Sequence, residues 1–149
     1  MKCALITGAS SGIWEELAKI HASKWDNLVL VARSVDKLMS LKDTLEAEYK
    51  INVHFIEKDL SKDSSAKEVY EEIIAEGIEI EYLVNNAWFW GKWLFWERDL
   101  QDESDMIHLN VLTLTKLTHM FLWAMKKRGS WKILNVASSA ALVPWGPYQ

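Results

Sequence analysis

Short apolar runs alternate along the chain with segments whose apolar residues recur at helical spacing. The apolar runs predict five strands, at residues 3–6, 27–32, 51–57, 82–85 and 132–137. The intervening segments predict helices, and the longest, at residues 103–127, should face inward with Met106, Leu109, Thr113, Leu117, Met120, Phe121 and Ala124. Ser34 is expected to cap the helix after the second strand. This alternation predicts a doubly wound, parallel, Rossmann-like α/β sheet, truncated after its fifth strand.

A glycine-spaced turn joins the first strand to the first helix. Gly8 can adopt backbone angles closed to other residues, and Gly12 allows a ligand to approach the chain closely. The backbone N–H groups that open the next helix, from Ile13, offer donors and a favourable dipole to a phosphate. With Ser10 and Ser11 between the glycines, this turn predicts a dinucleotide phosphate site. The glycine spacing alone would also suit an ordinary strand-to-helix turn.

Composition limits the class of partner and the compartment. The 149 residues contain no linker or internal repeat, so residues 1–149 are expected to form a single dinucleotide-binding domain. The net charge of −4 gives no electrostatic basis for a nucleic-acid or membrane-surface partner. The single cysteine, Cys3, should lie in the core and suits a reducing compartment. With no apolar stretch of membrane-spanning length and no secretory signal before the first strand, a cytoplasmic location is expected.

Four motifs in order resemble those of the short-chain dehydrogenase/reductase family and extend over nearly the whole chain. They are the turn Thr7-Gly8-Ala9-Ser10-Ser11-Gly12, the pair Asp59-Leu60, the strand end Asn85-Asn86-Ala87 and the strand Asn135-Val136-Ala137-Ser138. Asn110 stands where the family has its helix asparagine. The resemblance implies that Asp59 and Leu60 line an adenine pocket and that Asn86 and Ala87 also contact the cofactor.

The resemblance implies hydride transfer between a nicotinamide cofactor and a small-molecule carbonyl or alcohol. In that reaction Ser138 would orient the substrate oxygen, and Asn110 would anchor a water in the proton relay. The second strand ends at Arg33, where a carboxylate would favour NAD, so NADP is the expected cofactor and NAD the less favoured one. The four histidines lack metal-ligand spacing, and no metal is expected. An uncovered fifth strand should promote self-association, so a homo-oligomer is expected.

Two features depart from the family pattern. The family's catalytic Tyr-x-x-x-Lys would follow Gln149, the last residue given, and the nearest tyrosine is Tyr148, so the sequence as given is expected to be inactive. Trp14 and Trp88 occupy expected glycine positions, where an indole should clash with its neighbours or with the cofactor. The alternative hypothesis is a non-catalytic module that binds a partner or itself through a truncated nucleotide-binding fold.

Overall fold

Five strands form one parallel sheet in the computed structural model. The structure describes residues 3–9, 13–24, 26–89 and 95–138, and for residues 13, 14 and 95 it describes the backbone without the side chain. The strands are β1 Cys3–Thr7, β2 Asn27–Ala32, β3 Val53–Glu57, β4 Tyr82–Asn85 and β5 Lys132–Asn135. Their order across the sheet is β3-β2-β1-β4-β5, and every neighbouring pair is parallel. The strand order reverses beside β1, as in a doubly wound Rossmann-like fold, so the predicted architecture is confirmed.

Helices cover both faces of this sheet. They are α1 Ile13–Ala22, α2 Val35–Tyr49, α3 Ser65–Ala75, α4 Leu100–Ile107 and α5 Leu114–Arg128. Because side chains alternate along a strand, Ala4 and Ile6 of β1 pack with α1 and α2, whereas Leu5 packs on the opposite face with α3 and α5. All five residues of β1 are buried. Burial on both faces explains why the central strands are continuous apolar runs in the sequence.

The long helix is not the single regular helix that the sequence predicted. Helical structure extends from Leu100 to Arg128, but a π-helical turn at His108–Thr113, hereafter the π turn, separates α4 from α5. The buried residues of this stretch are Glu103, Thr113, Leu117, Phe121 and Met125, while the predicted Met106, Leu109, Met120 and Ala124 are half-buried. A π turn contains one residue more than an α-helical turn. Apolar residues at regular α-helical spacing therefore cannot face inward both before and after it.

Three strand ends and the contacts of one helix cap differ from their predictions. β1 ends at Thr7 rather than at residue 6. β3 begins at Val53 rather than at residue 51, and β5 ends at Asn135 rather than at residue 137. Ser34 stands at the N-cap of α2 as predicted, but its side chain makes no capping hydrogen bond within the described part of the chain. Instead its carbonyl accepts the N–H of Leu38 at 3.1 Å, so the helix begins through main-chain contacts.

Cys3 is buried in the core, as predicted. Burial, reinforced by the charge of Asp26, raises the pKa of its thiol to about 12, so the group stays protonated at neutral pH. No helix within the described ranges is both long enough and apolar enough to cross a membrane. Among the same residues, no group of three or more His, Cys, Asp and Glu side chains could hold a metal ion.

Candidate functional site

A cavity of about 230 Å³ opens where β1, β2, β3 and β4 end at the carboxyl edge of the sheet. It is lined by Gly8, Val31, Ala32, Arg33, Lys58, Asp59, Leu60, Asn86, Ala87, Trp88, Phe89 and Leu109. Six of the ten residues predicted to bind a cofactor are in this lining, namely Gly8, Arg33, Asp59, Leu60, Asn86 and Ala87. Ser10, Ser11 and Gly12 lie outside the described residues, and Ile13 begins α1. The topology therefore brings residues from five separate segments of the chain to one opening.

Gly8 has a positive φ of 73° and no space for a side chain. A Cβ at this position would lie 2.8 Å from Cα of Ala87 and 3.1 Å from Nδ2 of Asn86. The backbone N–H of Gly8 donates to the carbonyl of Val31 at 2.7 Å. The turn after β1 thus passes directly against the segment after β4, and glycine meets both the conformational and the spatial requirement.

Thr7 joins β1 to the end of β4 through one buried hydroxyl group. The hydroxyl donates to the carbonyl of Val84 at 3.2 Å and accepts the N–H groups of Asn86 at 2.9 Å and Ala87 at 3.1 Å. These contacts use its one proton and both of its lone pairs. The glycine motif includes Thr7, but its role here was not predicted. The available signal was a polar residue at the end of an otherwise apolar strand.

Asn86 keeps one buried acceptor unpaired beside the cavity. Its Nδ2 donates to the carbonyl of Thr7 at 3.0 Å, which fixes the orientation of the amide. Its Oδ1 is buried and receives no hydrogen bond from any described residue. Buried polar atoms are nearly always paired in folded proteins, so this oxygen is suited to a donor from a ligand or an ordered water. Together with the close, side-chain-free turn at Gly8, it makes the cavity compatible with a bound dinucleotide.

Two cationic side chains stand side by side at this edge. The parallel register pairs Ala32 with Glu57, so the next residues, Arg33 and Lys58, are neighbours as well. Lys58 donates to Glu68 at 2.8 Å, and this contact lowers the pKa of the glutamate. Arg33 is exposed and has no acidic partner in the described ranges. Of these two cations, Arg33 is therefore the one whose charge is available to an anion. Lys58 was not predicted as a lining residue.

Asp59 forms a tight turn with Ser61 in the loop between β3 and α3. Its Oδ1 accepts the backbone N–H of Ser61 at 3.0 Å and the Ser61 hydroxyl at 2.8 Å. No described residue donates to its Oδ2. The neighbouring Leu60 is buried, and its carbonyl accepts the hydroxyl of Thr113 at 2.8 Å. The carboxylate is thus held by one oxygen, and the other remains available at the cavity.

Asn110 lies in the π turn and uses both ends of its amide on one residue. Its Oδ1 accepts the N–H of Phe89 at 3.2 Å, and its Nδ2 donates to the carbonyl of Phe89 at 2.9 Å. The side chain is half-buried, and both ends of its amide are hydrogen-bonded, as a partly buried polar group requires. Asn110 therefore fixes the backbone of the segment after β4, which carries the lining residues Trp88 and Phe89.

The remaining predicted residues lie at the rim or outside the description. Ser138 is exposed, three residues beyond β5. Trp88 lines the cavity with its side chain about half exposed, so it stands at the rim and does not fill the space. The helix α1 includes Trp14, whose side chain is not described. The predicted clash of either indole with its neighbours or with the cofactor therefore stays a prediction.

The match to known families agrees with this geometry. A family model described as short chain dehydrogenase matches residues 2–148. The chain belongs to this family of oxidoreductases. Human 17-beta-hydroxysteroid dehydrogenase type 3 is 31% identical over 147 residues, which cover 97% of this chain and 47% of that protein. The very-long-chain 3-oxoacyl-CoA reductase of Anas platyrhynchos is 31% identical over 147 residues, covering 95% of this chain and 46% of that protein.

Solved structures share the architecture. The structure of a short-chain dehydrogenase from Sphingobium yanoikuyae in complex with NADPH has a TM-score of 0.91 and 29% sequence identity, and it covers 99% of this chain and 57% of that one. The chain spans about half the length of the curated relatives that it matches. The family relationship is thus established over residues 2–148.

Proposed function

We propose that this chain forms the cofactor-binding part of an NADP(H)-dependent oxidoreductase that interconverts a small-molecule carbonyl and alcohol. The observation that supports this most is the cavity itself, where the glycine turn, the unpaired Asn86 acceptor and the available Arg33 charge meet. The two relatives are called a hydroxysteroid dehydrogenase and a 3-oxoacyl-CoA reductase. These names describe reactions at a hydroxyl group and at an oxo group. The similar Sphingobium structure contains NADPH.

The lining residues divide the expected cofactor contacts among them. The backbone turn at Gly8, with Ser10, Ser11 and Gly12, would hold the pyrophosphate at the start of α1. Arg33 would pair with the 2′-phosphate that distinguishes NADP from NAD. The free oxygen of Asp59 would accept a hydrogen bond from the amino group of adenine. Asn86 and Ala87 would lie against a ribose of the cofactor. When bound, the nicotinamide supplies or accepts the hydride.

Two further residues would serve the chemistry. Ser138 would donate a hydrogen bond to the substrate oxygen, and Asn110 would hold the segment at Phe89 beside it. The 149 residues contain no Tyr-x-x-x-Lys pattern, which in the family provides the proton. We therefore expect these residues alone to bind the cofactor without turnover, since a missing general acid costs about 10²–10⁴-fold in rate.

Cofactor titration of the Arg33→Ala variant tests the proposal. NADPH should bind more tightly than NADH, and the variant should bind NADPH about 10-fold more weakly while NADH binding stays unchanged, because a charge-assisted contact is lost. Lys126→Ala is the matched control, since Lys126 is an exposed cation at the end of α5 that is distant from the cavity. Arg98 and Arg128 are less suitable as controls, because both side chains have hydrogen-bonded partners that the substitution would also remove. Absence of dinucleotide binding would refute the function, and an unchanged preference would refute the assignment of Arg33.

A chimaera tests the catalytic part. Fusing a family segment that carries Tyr-x-x-x-Lys after Gln149 should produce NADPH oxidation with a carbonyl substrate, and Ser138→Ala should then reduce it. Trp14→Gly with Trp88→Gly should strengthen NADPH binding if either indole obstructs the cofactor. Turnover by the unmodified 149 residues would contradict the need for the added segment.

The second candidate is a self-associating, non-catalytic module. It is favoured by β5, an edge strand in the described sheet with three of its four residues exposed, including Leu134. An exposed strand edge offers unpaired N–H and C=O groups to another chain. Light scattering should show concentration-dependent association that Leu134→Lys reduces. A monomer at high concentration that binds NADPH would eliminate this candidate and also the expected homo-oligomer.

A further inference from the structure

The π turn contacts both walls of the cavity. On one wall Asn110 holds the backbone of Phe89 with two hydrogen bonds. On the other wall Thr113 donates its hydroxyl to the carbonyl of Leu60 at 2.8 Å. Leu109, the residue before Asn110 in the same turn, itself lines the cavity. π turns often occur at functional sites because the extra residue re-aims side chains that a regular helix would place elsewhere.

The bond from Thr113 reaches Asp59 through a single peptide group. The carbonyl of Leu60 and the N–H of Ser61 belong to the same planar peptide, so holding one end fixes the direction of the other. The carbonyl end accepts from Thr113, and the N–H end donates to Oδ1 of Asp59 at 3.0 Å. The orientation of the Asp59 carboxylate therefore depends on a hydroxyl that lies 54 positions later in the chain.

Burial makes this connection effective. Thr113 is 2% exposed and Leu60 is 4% exposed, so water cannot replace the hydroxyl if it is removed. Asp59 is only half-buried, and Oδ1 is its single described anchor. A rotated Leu60–Ser61 peptide would withdraw the N–H from Oδ1 and leave the carboxylate held only by the hydroxyl of Ser61.

We propose that Thr113 is a positioning residue that orients the Asp59 carboxylate toward the adenine amino group through the Leu60–Ser61 peptide. This inference rests on the proposed binding of NADP(H). It assigns a function to the π turn, which the pattern of apolar residues did not predict. It also means that recognition of the adenine ring depends on the same helical turn that holds the opposite wall at Phe89.

The test compares NADPH with its hypoxanthine analogue, which carries an oxygen in place of the adenine amino group. The unmodified chain should bind NADPH more tightly, and Thr113→Val, which is isosteric but has no hydroxyl, should reduce that preference about 5-fold. Thr113→Ser should restore it. Asp59→Ala should abolish the preference for NADPH, and it shows the value expected when no carboxylate contacts the adenine amino group.

Thr115→Val is the matched control. Thr115 also donates its hydroxyl to a carbonyl, that of Val111 at 2.8 Å, but within its own helix and on the exposed face. It should leave the preference unchanged. All titrations are made at a temperature where circular dichroism shows every variant folded, because a merely structural role would lower stability without altering the ratio of two affinities.

The outcomes separate the two proposals. If the unmodified chain binds no NADPH, the proposed function fails and this inference fails with it. If NADPH binds but the unmodified chain does not distinguish the hypoxanthine analogue, or if Thr113→Val retains the full preference, the positioning role of Thr113 is overturned while the cofactor assignment stands. A reduced preference that serine restores supports the role.

Discussion

Two connections hold the surroundings of the cavity together by different physical means. Thr7 joins β1 to the end of β4 through a neutral hydroxyl that is 2% exposed. Asp63 joins the loop before α3 to the long helix, accepting from His108 Nε2 at 3.0 Å and from Lys116 Nζ at 2.6 Å, with its side chain 87% exposed. The first connection has no charge, and the second has three titratable groups.

The difference indicates which connection the fold depends on. When a buried hydroxyl is removed, the groups that it paired stay in the core without a partner and lose both protein and water contacts. When an exposed ion pair is removed, its groups return to water at little cost. We therefore expect the uncharged connection to contribute more to the free energy of unfolding than the charged one.

The largest effect is expected at Gly8, which sits at the buried connection. Gly8→Ala places a Cβ 2.8 Å from Cα of Ala87 in a left-handed conformation, and should lower the free energy of unfolding by about 3–4 kcal/mol. Gly129→Ala is the control, because Gly129 has a similar φ of 74° but nothing within 4 Å of its Cβ position. It should cost about 1 kcal/mol. Urea unfolding of both variants measures the difference, and equal losses would show that close approach does not matter.

Thr7→Val should have the next largest effect. The change keeps the shape of the side chain but leaves the N–H groups of Asn86 and Ala87 and the carbonyl of Val84 without their partner. We expect a loss of about 2 kcal/mol in urea unfolding. Thr44→Val removes a hydroxyl that donates to Ser40 on the exposed side of α2 and should change stability by less than about 0.5 kcal/mol. A loss at Thr7 no greater than at Thr44 would contradict the comparison.

The smallest effect is expected at Asp63 and should appear only in acid. Hydrogen bonds from Lys116 and then His108 hold the pKa of Asp63 below its ordinary value of 3.8. A lowered pKa in the folded state means that the contribution is present above pH 3.8 and is lost as the pH falls further toward the folded value.

Thermal unfolding at several pH values measures this contribution. Asp63→Asn should show a slightly shallower fall in the midpoint temperature below pH 4 than the unmodified chain, and high salt should reduce the difference. Asp43→Asn removes an equal charge from the exposed face of α2 and controls for net charge. A loss at neutral pH larger than that of Thr7→Val would reverse the order of the two connections.

Much of the site could be predicted because its residues lie in local motifs. The turn at Gly8, the pair Asp59-Leu60 and the strand end at Asn86 each follow an apolar run directly, and parallel strands bring their carboxyl ends to one edge. Thr113 and Lys58 could not be assigned in this way. Their contacts depend on strand register and on a π turn, which leave no periodic signal in the sequence.

The sequence by itself determined the order of strands and helices, the parallel α/β architecture and the family to which the chain belongs. These features follow from apolar spacing and from short motifs, which act over a few residues. Only the tertiary structure decided that Thr7 pairs with the backbone near Asn86 and that Thr113 holds Leu60. Each of these bonds joins segments more than 50 residues apart, and such groups meet only after the crossovers have set the sheet order and the helix has placed its π turn.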